Sequence, residues 1–309
     1  MSAITVKNLT KTYEKGKILA VDNISFEVGK GELFGLIGPD GAGKTSIFRM
    51  LTTLLLPDKG KASVDGFDVV RDFKKIRNTV GYMPGKFSLY QDLTIEENLN
   101  FFATVFNTTV EENYSLIKDI YIQIEKFKTR RAGKLSGGMK QKLALCCALI
   151  HKPTTLFLDE PTTGVDPVSR KEFWDMLKRL KEQGITILVS TPYMDEANRC
   201  DRIALIQSGK ILSIDTPAAI INSFSEKLYA IKANKMYPLL KLLELFPQRK
   251  SSYAFGEFAH AVFDPQMEDN ELIKYLEERG LKQIEIEIIE PTIEDTFIKL
   301  LSRYNHAQE

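Results

Sequence analysis

The sequence contains little cysteine, and its placement does not suit disulfide bonds. Three cysteines occur in 309 residues, and two of them, Cys146 and Cys147, are neighbours inside an apolar run that is typical of a helix. This arrangement excludes a disulfide framework. Free cysteine most often packs as a small hydrophobic residue, so we expect these two and Cys200 to be buried, in a protein of a reducing compartment.

The chain also lacks an excess of either charge. Its 42 lysines and arginines balance 41 aspartates and glutamates, which leaves a formal net charge of +1. A dedicated nucleic-acid binder or a polybasic protein of membrane surfaces needs a large positive excess, so both classes are excluded. We therefore expect no nucleic acid among the partners.

Long hydrophobic runs are missing as well. Nowhere do roughly 18 apolar residues follow one another, the length that indicates a membrane-spanning helix. The first residues, MSAITVKNLTKTY, alternate between apolar and polar and contain no apolar core of a signal peptide. We expect a chain that neither crosses a membrane by itself nor is exported.

Histidine is scarce and scattered. The three histidines, His151, His260 and His306, show none of the spacing of a metal site, and we expect ordinary surface or loop roles for them. No heptad array of apolar residues is present, so the sequence gives no sign of a long coiled coil.

What is present is a regular alternation of strand and helix patterns up to about Asn222. Nearly continuous apolar runs predict strands buried on both faces, as in a parallel sheet covered by helices. Alternating runs near the start predict a small antiparallel side sheet, and helical spacing predicts an all-helical insert over about residues 94–150. A length of 309 residues fits about two domains, which we place at 1–222 and 223–309. The predicted buried strands are 33–37, 80–83, 156–158 and 185–189, and the side-sheet strands are 4–9 and 18–26.

After residue 222 the patterns run strand, helix, strand, strand, helix, strand, with a further helix at the end. This βαββαβ order predicts a small α+β module of the ferredoxin-like type. Such a module more often binds partners than carries out chemistry. The predicted strands are 228–231, 252–255, 258–263 and 284–289, and the predicted helices are 237–246, 270–279 and 292–301.

One glycine-rich segment fits the pattern GxxxxGK[ST] between a predicted strand and a predicted helix, which is the context of a phosphate-binding P-loop. Backbone N–H groups of such a loop and the positive end of the helix bind phosphate oxygens. The lysine reaches the β- and γ-phosphates, and the Thr hydroxyl ligates Mg²⁺. The alternative is a plain glycine-rich turn. The candidate nucleotide-binding residues are Gly38, Pro39, Asp40, Gly41, Ala42, Gly43, Lys44 and Thr45, followed by Ser46.

An apolar strand further along the chain ends in two carboxylates, Asp159 and Glu160. Paired acids are often only the solvated end of a strand. In a P-loop fold, however, the first would hold Mg²⁺ and the second would orient and polarise the attacking water. Next to the P-loop, the sequence favours the catalytic interpretation, with Asp159 and Thr45 at the metal and Glu160 as the catalytic residue.

A third segment, residues 135–141 with the sequence LSGGMKQ, has no role in a generic P-loop protein. With this signature the sequence resembles the nucleotide-binding subunit of ABC transporters. The resemblance covers about residues 3–222. It implies an α/β P-loop NTPase core of the ABC ATPase type with an antiparallel side sheet and a helical insert, beside the small α+β module, with ATP and Mg²⁺ as cofactors. In the family this signature completes the ATP site of an opposing subunit. The matching residues are Leu135, Ser136, Gly137, Gly138, Met139 and Gln141 of the signature, where Met139 replaces the usual Gln, together with Tyr13 at the adenine-stacking position and Asp166 in the loop that touches the other subunit.

The end of the sequence carries a narrower resemblance. Residues 290–297, EPTIEDTF, resemble the ending of ATPase subunits in the exporter branch that includes daunorubicin-type and other multidrug pumps. The same residues also fit an ordinary capped helix, with Thr292 as N-cap and Asp295 at N3. The resemblance implies a separate membrane permease as partner and a peripheral place on the cytoplasmic face of the membrane.

Two positions depart from the family pattern. Gly85 stands where the family has a Gln that reaches toward Mg²⁺ and water, and Pro192 stands where it has a His that contacts the γ-phosphate. Losing one such group typically costs on the order of 10² to 10⁴ in rate, so we expect the chain's own site to be slow. Our hypothesis is the degenerate half of an asymmetric ATPase pair that lends its signature to a second subunit.

Two alternatives stay open. The first is a self-sufficient homodimeric transport ATPase in which Thr191, Tyr193 or Lys86 partly replaces the missing groups. The second is a soluble ABC ATPase without a transport role, which the single cassette and the balanced charge disfavour.

Overall fold

The computed structural model describes residues 1–306, with side chains to residue 302. The chain folds into two compact units: the larger comprises Met1–Ile220 together with the described residues from Leu300 on, and the smaller comprises Ile221–Lys299. Among the described residues, every helix is too short or too polar to span a bilayer. The strands of the larger unit are β1 (Ser2–Tyr13), β2 (Ile18–Gly29), β3 (Leu33–Ile37), β4 (Lys59–Val64), β5 (Phe67–Asp68), β6 (Val80–Met83), β7 (Thr155–Asp159), β8 (Thr186–Thr191), β9 (Arg202–Gln207) and β10 (Lys210–Asp215). Its helices are α1 (Lys44–Leu51), α2 (Phe73–Thr79), α3 (Ile95–Val105), α4 (Val110–Glu125), α5 (Gly137–Leu149), α6 (Pro167–Glu182) and α7 (Pro217–Asn222).

The central sheet has the strand order β10, β9, β3, β8, β7, β6, and all neighbours except β10 and β9 run parallel. Every residue of β3, β7 and β8 is buried. This confirms the strands predicted from continuous apolar runs, since a parallel sheet is covered on both faces. Because the carboxyl ends of parallel strands meet at one edge, the segments that follow β3, β7 and β8 lie together there.

The side sheet is antiparallel, in the order β2, β1, β4, β5, as predicted. Its first two strands are longer than their apolar cores because polar residues at both ends also pair, from Ser2 with Gly29 to Tyr13 with Ile18. The buried side chains of this sheet pack with Phe34 and Phe48 in one hydrophobic core. This packing fixes the end of β1, and with it Tyr13, beside the helix that follows the P-loop.

The helical insert is also confirmed, as α3, α4 and α5. Capping boxes begin the first two helices: Thr94 with Glu97 for α3, and Thr109 with Glu112 for α4. Such reciprocal bonds satisfy amides that a helix start leaves free. The three cysteines are buried, as expected, and burial raises the pKa of each thiol.

The smaller unit has the predicted βαββαβ order and one antiparallel sheet with the order β12, β13, β11, β14. Counted within the unit, this is the 2-3-1-4 strand order of a ferredoxin-like fold, so the predicted type is confirmed. Its elements are β11 (Leu228–Lys232), α8 (Met236–Leu245), β12 (Arg249–Phe255), β13 (Phe258–Phe263), α9 (Asp269–Glu277), β14 (Glu285–Ile289) and the first part, to Lys299, of α10 (Ile293–His306).

The expectation of surface or loop roles for the histidines is wrong for His260. This residue lies on β13, is only 4% exposed, and its Nδ1 is 2.7 Å from Asp295 Oδ1. His151 follows α5 in a turn, with its ring stacked on Phe106 at 3.8 Å between centroids. The side chain of His306 lies outside the described residues.

Candidate functional site

The P-loop connects β3 to α1 at the carboxyl edge of the central sheet. Gly43, at φ +103°, precedes the helix, and a Cβ at this position would come within 2.3 Å of the carbonyl oxygen of Ala20. The helix start has no side-chain cap and no acidic residue in its first turn. Its first amides therefore remain available, and a helix N-terminus of this kind is a ready anion-binding site.

Lys44 is the first residue of α1 and is 3% exposed. Its ammonium donates to the carbonyl oxygens of Gly38 and Pro39, at 2.8 and 2.9 Å, and pairs with Glu160 Oε1 at 3.0 Å. The folded loop thus holds a buried cation against the residue that closes β7. Phosphate oxygens could accept the same ammonium hydrogen bonds.

Asp159 and Glu160 leave the end of β7 in different directions. Asp159 is 2% exposed, and its Oδ1 accepts a 2.7 Å hydrogen bond from the Ser190 hydroxyl on the neighbouring strand. Glu160 has the left-handed backbone conformation, φ +50°, which L-residues other than Gly rarely adopt. This turn directs the Glu160 carboxylate to Lys44 while Asp159 stays in the sheet edge.

The oxygen donors suit Mg²⁺ delivered with a nucleotide. Thr45 contributes a hydroxyl from the first turn of α1, and Asp159 contributes a carboxylate from the end of β7. Among the described residues no group of three or more His, Cys, Asp or Glu side chains could hold a cation without help. Mg²⁺ commonly takes one or two protein oxygens together with substrate phosphates and water, so Thr45 and Asp159 fit that role.

Tyr13 closes β1 beside the P-loop helix, and its hydroxyl is 3.0 Å from Ser46 Oγ. Asp58 holds this end of the strand by accepting from the Thr12 amide at 2.7 Å, the Thr12 hydroxyl at 2.8 Å and Lys11 Nζ at 2.8 Å. The hydrogen bond from Lys11, followed by those from Thr12, lowers the pKa of Asp58 to about 2. No local pattern in the sequence marks Asp58, since its partners lie more than forty positions earlier.

The signature segment begins helix α5. Ser136 is its N-cap and accepts from the Met139 amide at 3.4 Å, while Leu135 is buried beneath it. A Cβ at Gly138 would lie 2.7 Å from Ser169 Oγ and 3.0 Å from Ser169 Cβ, so any side chain there would displace Ser169. Ser136 is exposed together with the helix start, which leaves this end of α5 accessible to another molecule.

Asp166 lies beside the signature rather than beside the P-loop. Its Oδ1 accepts from the Ser169 amide at 3.0 Å and caps α6, and this backbone hydrogen bond lowers its pKa. A Cβ at Gly137 would approach the carbonyl oxygen of Gly164 to 3.5 Å. The structure therefore brings the predicted residues together as two groups. The first group comprises Tyr13, residues 38–46, Asp159 and Glu160, and the second comprises residues 135–141 and Asp166.

Gly85 packs directly against the carboxyl end of β7. A Cβ at this position would lie 3.0 Å from the Asp159 carbonyl oxygen and 3.8 Å from Glu160 Cβ. The loop after β6 thus reaches the acidic pair, but it presents a backbone there and no amide side chain.

The loop around Pro192 is fastened by a buried carboxylate that the sequence motifs did not reveal. Glu196 is 2% exposed and accepts from the hydroxyls of Thr191 and Thr162 and, at 3.0 Å, from Arg170 Nε. The guanidinium of Arg170 also stacks on the ring of Tyr193 at 4.1 Å. Glu196 belongs to the segment after β8, but its partners come from the end of β8, the loop after β7 and helix α6, so no local pattern marks it.

The P-loop fold and the paired carboxylates define the class as nucleotide-binding P-loop proteins. The signature at residues 135–141 indicates one family within this class. A family model described as ABC transporter matches residues 21–163. Over 97% of its length the chain is 37% identical to the probable multidrug ABC transporter ATP-binding protein YbhF of Escherichia coli (strain K12), and it spans about half, 52%, of that relative. It is 34% identical to the Nod factor export ATP-binding protein I of Rhizobium sp. (strain N33), over 97% of both chains. The chain belongs to the ATP-binding proteins of ABC transporters, on the branch of the multidrug exporters.

A further relative and two solved structures support the placement among the ATP-binding proteins of ABC transporters. The doxorubicin resistance ATP-binding protein DrrA of Mycobacterium tuberculosis (strain H37Rv) is 38% identical over 69% of this chain and 66% of its own. The ATP-binding cassette MJ0796, solved as a dimer in a post-hydrolysis state with ADP and Pi, superposes with a TM-score of 0.63 at 26% identity, over 69% of this chain and 98% of that one. CbiO1 of Clostridium perfringens, part of an ABC transporter complex, superposes with a TM-score of 0.64 at 25% identity, over 72% of this chain and 91% of that one.

Proposed function

We propose that this chain is the ATP-binding subunit of an exporter, that it binds ATP with Mg²⁺, and that it drives a membrane permease carried by a separate chain. The observation that carries the proposal is the uncapped start of α1 with Lys44 buried between the P-loop and Glu160. This arrangement supplies amides, a cation and two acids to a triphosphate. The names of the relatives, which refer to Nod factor export, to multidrug transport and to doxorubicin resistance, support export as the direction.

The proposal includes a head-to-tail dimer. The signature and Asp166 form a group of their own on the start of α5 and of α6, where Ser136 and Asp166 are both exposed. An exposed helix start with free amides can bind the phosphates of a nucleotide held by another subunit. A second copy or a second ATPase would in this way complete each site.

We assign to the chain the degenerate half of an asymmetric pair. Gly85 and Pro192 supply neither an amide nor an imidazole. Two of the three candidate substitutes are already engaged, because the Thr191 hydroxyl donates to Glu196 and the ring of Tyr193 lies under Arg170. This favours a slow site in this chain over the self-sufficient homodimer, which would have to rely on the third candidate, the exposed Lys86.

A groove in the larger unit offers a place for the permease. It lies between β6 and the helical insert, and its wall is mostly apolar and aromatic. Leu54 on its rim is 58% exposed. Exposed apolar surface of this kind marks a binding site, here for a helix of the permease, which would hold the subunit on the cytoplasmic face of the membrane. Residues of the lining include Leu54, Tyr82, Leu89, Phe102 and Phe106.

The test is a pair of measurements on the purified chain: titration with a fluorescent ATP analogue in the presence of Mg²⁺, and steady-state turnover of ATP. We expect binding that is lost in Lys44→Ala, together with turnover far below one per second. The variant Lys142→Ala is a matched control, since it removes a lysine that pairs with Glu172 away from the P-loop. Turnover of tens per second by the chain alone would overturn the degenerate assignment, and absence of ATP binding would overturn the function.

A further inference from the structure

The hydroxyl of Ser190 connects both acids of the candidate site. Ser190 is the penultimate residue of β8, opposite Asp159 in the parallel pairing of β7 and β8, and it is fully buried. Its Oγ donates to Asp159 Oδ1 at 2.7 Å and accepts from the Glu160 amide at 3.0 Å. A hydroxyl has one proton and two lone pairs, so both bonds together fix its orientation.

The same residue holds the backbone of Glu160. The Glu160 amide lies 3.1 Å from the carbonyl oxygen of Ser190 as well as 3.0 Å from its hydroxyl, so it is shared between two acceptors on one residue. A left-handed backbone conformation costs free energy in any residue other than glycine. The shared bond offsets this cost and keeps the Glu160 carboxylate turned toward Lys44.

The bond to Asp159 also decides which carboxylate oxygen is free. Oδ1 carries a short hydrogen bond from a buried donor, while Oδ2 is left for other partners. Hydrogen bonds behind a metal-ligating carboxylate orient it and raise its affinity for the cation. Here the donor is the Ser190 hydroxyl, and Ser190 lies on β8, the strand that precedes Pro192.

We propose that Ser190 is a positioning residue for Mg²⁺-ATP, which orients the Asp159 carboxylate and the Glu160 backbone through a single hydroxyl. The inference rests on the proposed function, because it concerns the Mg²⁺ that accompanies ATP at this site. It adds to that function a residue that lies in none of the sequence motifs.

A purely structural hydroxyl would behave differently, and Thr155 provides the comparison. Thr155 is buried at the opposite end of β7, and its hydroxyl donates to Asp65 at 2.9 Å. The variants Ser190→Ala and Thr155→Ala thus each remove a buried hydroxyl that bonds a carboxylate. Only the Ser190 hydroxyl bonds Asp159, the proposed metal ligand. The variant Ser190→Thr keeps a hydroxyl at this position.

The experiment titrates Mg²⁺ into the full chain in the presence of a fluorescent ATP analogue and records the half-saturating Mg²⁺ concentration. We expect Ser190→Ala to raise it about tenfold, the usual effect of losing a hydrogen bond behind a metal ligand. Affinity for the nucleotide without Mg²⁺ should stay within about twofold of the wild type, and Ser190→Thr should restore the Mg²⁺ response. Thr155→Ala should leave that response unchanged.

Three results would overturn the inference. If Ser190→Ala responds to Mg²⁺ like the wild type, or no differently from Thr155→Ala, Ser190 contributes stability alone. A wild-type chain that binds the nucleotide equally well with and without Mg²⁺ would also end it, whereas a wild type that binds no nucleotide would end the proposed function as well. A thermal unfolding curve for each variant checks that the protein is folded at the temperature of the titration.

Discussion

Lys44 Nζ lies 3.0 Å from Glu160 Oε1, so the cation that is proposed to bind phosphate and the acid that is proposed to polarise water already form an ion pair. Lys44 is almost fully buried and Glu160 is about one-fifth exposed. The pair therefore competes with any phosphate for the same ammonium. The affinity for ATP consequently depends on Glu160 even where Glu160 performs no hydrolysis.

The first prediction follows from this ion pair. Glu160→Gln removes the competing charge, so we expect ATP to bind about fivefold more tightly, equivalent to about 1 kcal/mol for the lost ion pair. Isothermal titration with ATP measures this change. Glu172→Gln, which breaks the 2.8 Å pair with Lys142, should leave the affinity unchanged. Weaker binding in Glu160→Gln would show that the ion pair does not oppose the nucleotide.

A second prediction concerns the two departures from the family pattern. The double variant Gly85→Gln with Pro192→His should raise turnover at least tenfold, because positioned polar groups contribute about 10² or more each. Gly85→Gln carries a cost, since its Cβ would come within 3.0 Å of the Asp159 carbonyl oxygen and that segment must shift slightly. The controls are Gly85→Ala and Pro192→Ala, which change the backbone without adding the family side chains. Equal turnover in the double variant and in these controls would contradict the explanation.

The signature can be tested by complementation in trans. A chain that carries Gly85→Gln, Pro192→His and Gly138→Val has a restored site but a broken signature, because any Cβ at Gly138 meets Ser169. Alone it should turn over little ATP. Mixed with the wild type, which lends an intact signature, it should gain turnover. A mixture in which the wild type also carries Gly138→Val should stay inactive, and activity there would argue against the head-to-tail dimer.

Tyr13 provides a test of adenine stacking. Tyr13→Ala should weaken ATP binding by about tenfold, since stacking of a base on an aromatic ring is worth about 1 to 3 kcal/mol. Tyr13→Phe keeps the ring and loses only the contact with Ser46 Oγ, so a smaller change is expected. Competition with inorganic triphosphate, which has no base, should be equal in all three proteins. A matching loss of triphosphate binding in Tyr13→Ala would instead indicate damage to the P-loop.

The smaller unit should show acid sensitivity that depends on Asp295. Burial alone would raise the pKa of this carboxyl, but hydrogen bonds from Thr292, His260 and Tyr253 outweigh it and lower the pKa below its ordinary value of 3.8. Since the folded value is depressed, the stabilisation is present above the unfolded pKa, near pH 4, and is lost as the pH falls through the lowered value. Asp295→Asn should therefore cost about 2 kcal/mol at pH 7 and less below pH 3.

The loss of stability in Asp295→Asn can be measured in the full chain as faster hydrogen exchange of peptides from β13. At each pH the variant is compared with the wild type, so the intrinsic exchange rates cancel. Thr296→Val is the control, because the Thr296 hydroxyl only bonds the carbonyl of Thr292. A difference between Asp295→Asn and the wild type that stays constant from pH 7 to pH 3 would contradict the assignment.

The sequence predicted those parts of the fold that rest on local patterns. The bounds of β3, β6 and β13 agree with the predicted ranges because continuous apolar runs end there at glycine, proline or charged residues. The P-loop and the signature were found because their spacing is fixed by backbone geometry over fewer than ten residues. The tail motif was explained in the same way, with Thr292 and Asp295 bonded as a helix start.

Long-range partners could not be predicted in this way. Ser190 meets Asp159 thirty-one positions away, and Asp58 meets Thr12 forty-six positions away. Strand pairing decides such contacts, and one sequence carries no record of the pairing register. His260 was misjudged for the same reason, because its burial follows from the pairing of β13 with β11 and β12 and not from its neighbours in the chain.

The buried carboxylate of Glu196 sets a limit on how the nucleotide-binding edge can deform. Thr162 follows β7, Thr191 ends β8 and Arg170 belongs to α6, and all three bond this one group. Displacing any one of these segments strains the bonds of the other two. Ser169, next to Arg170, packs against Gly138, so the brace extends to the start of α5. These contacts connect the signature at the start of α5 with the ends of β7 and β8. We therefore expect that a displacement of the signature by a partner subunit moves the ends of these strands as well.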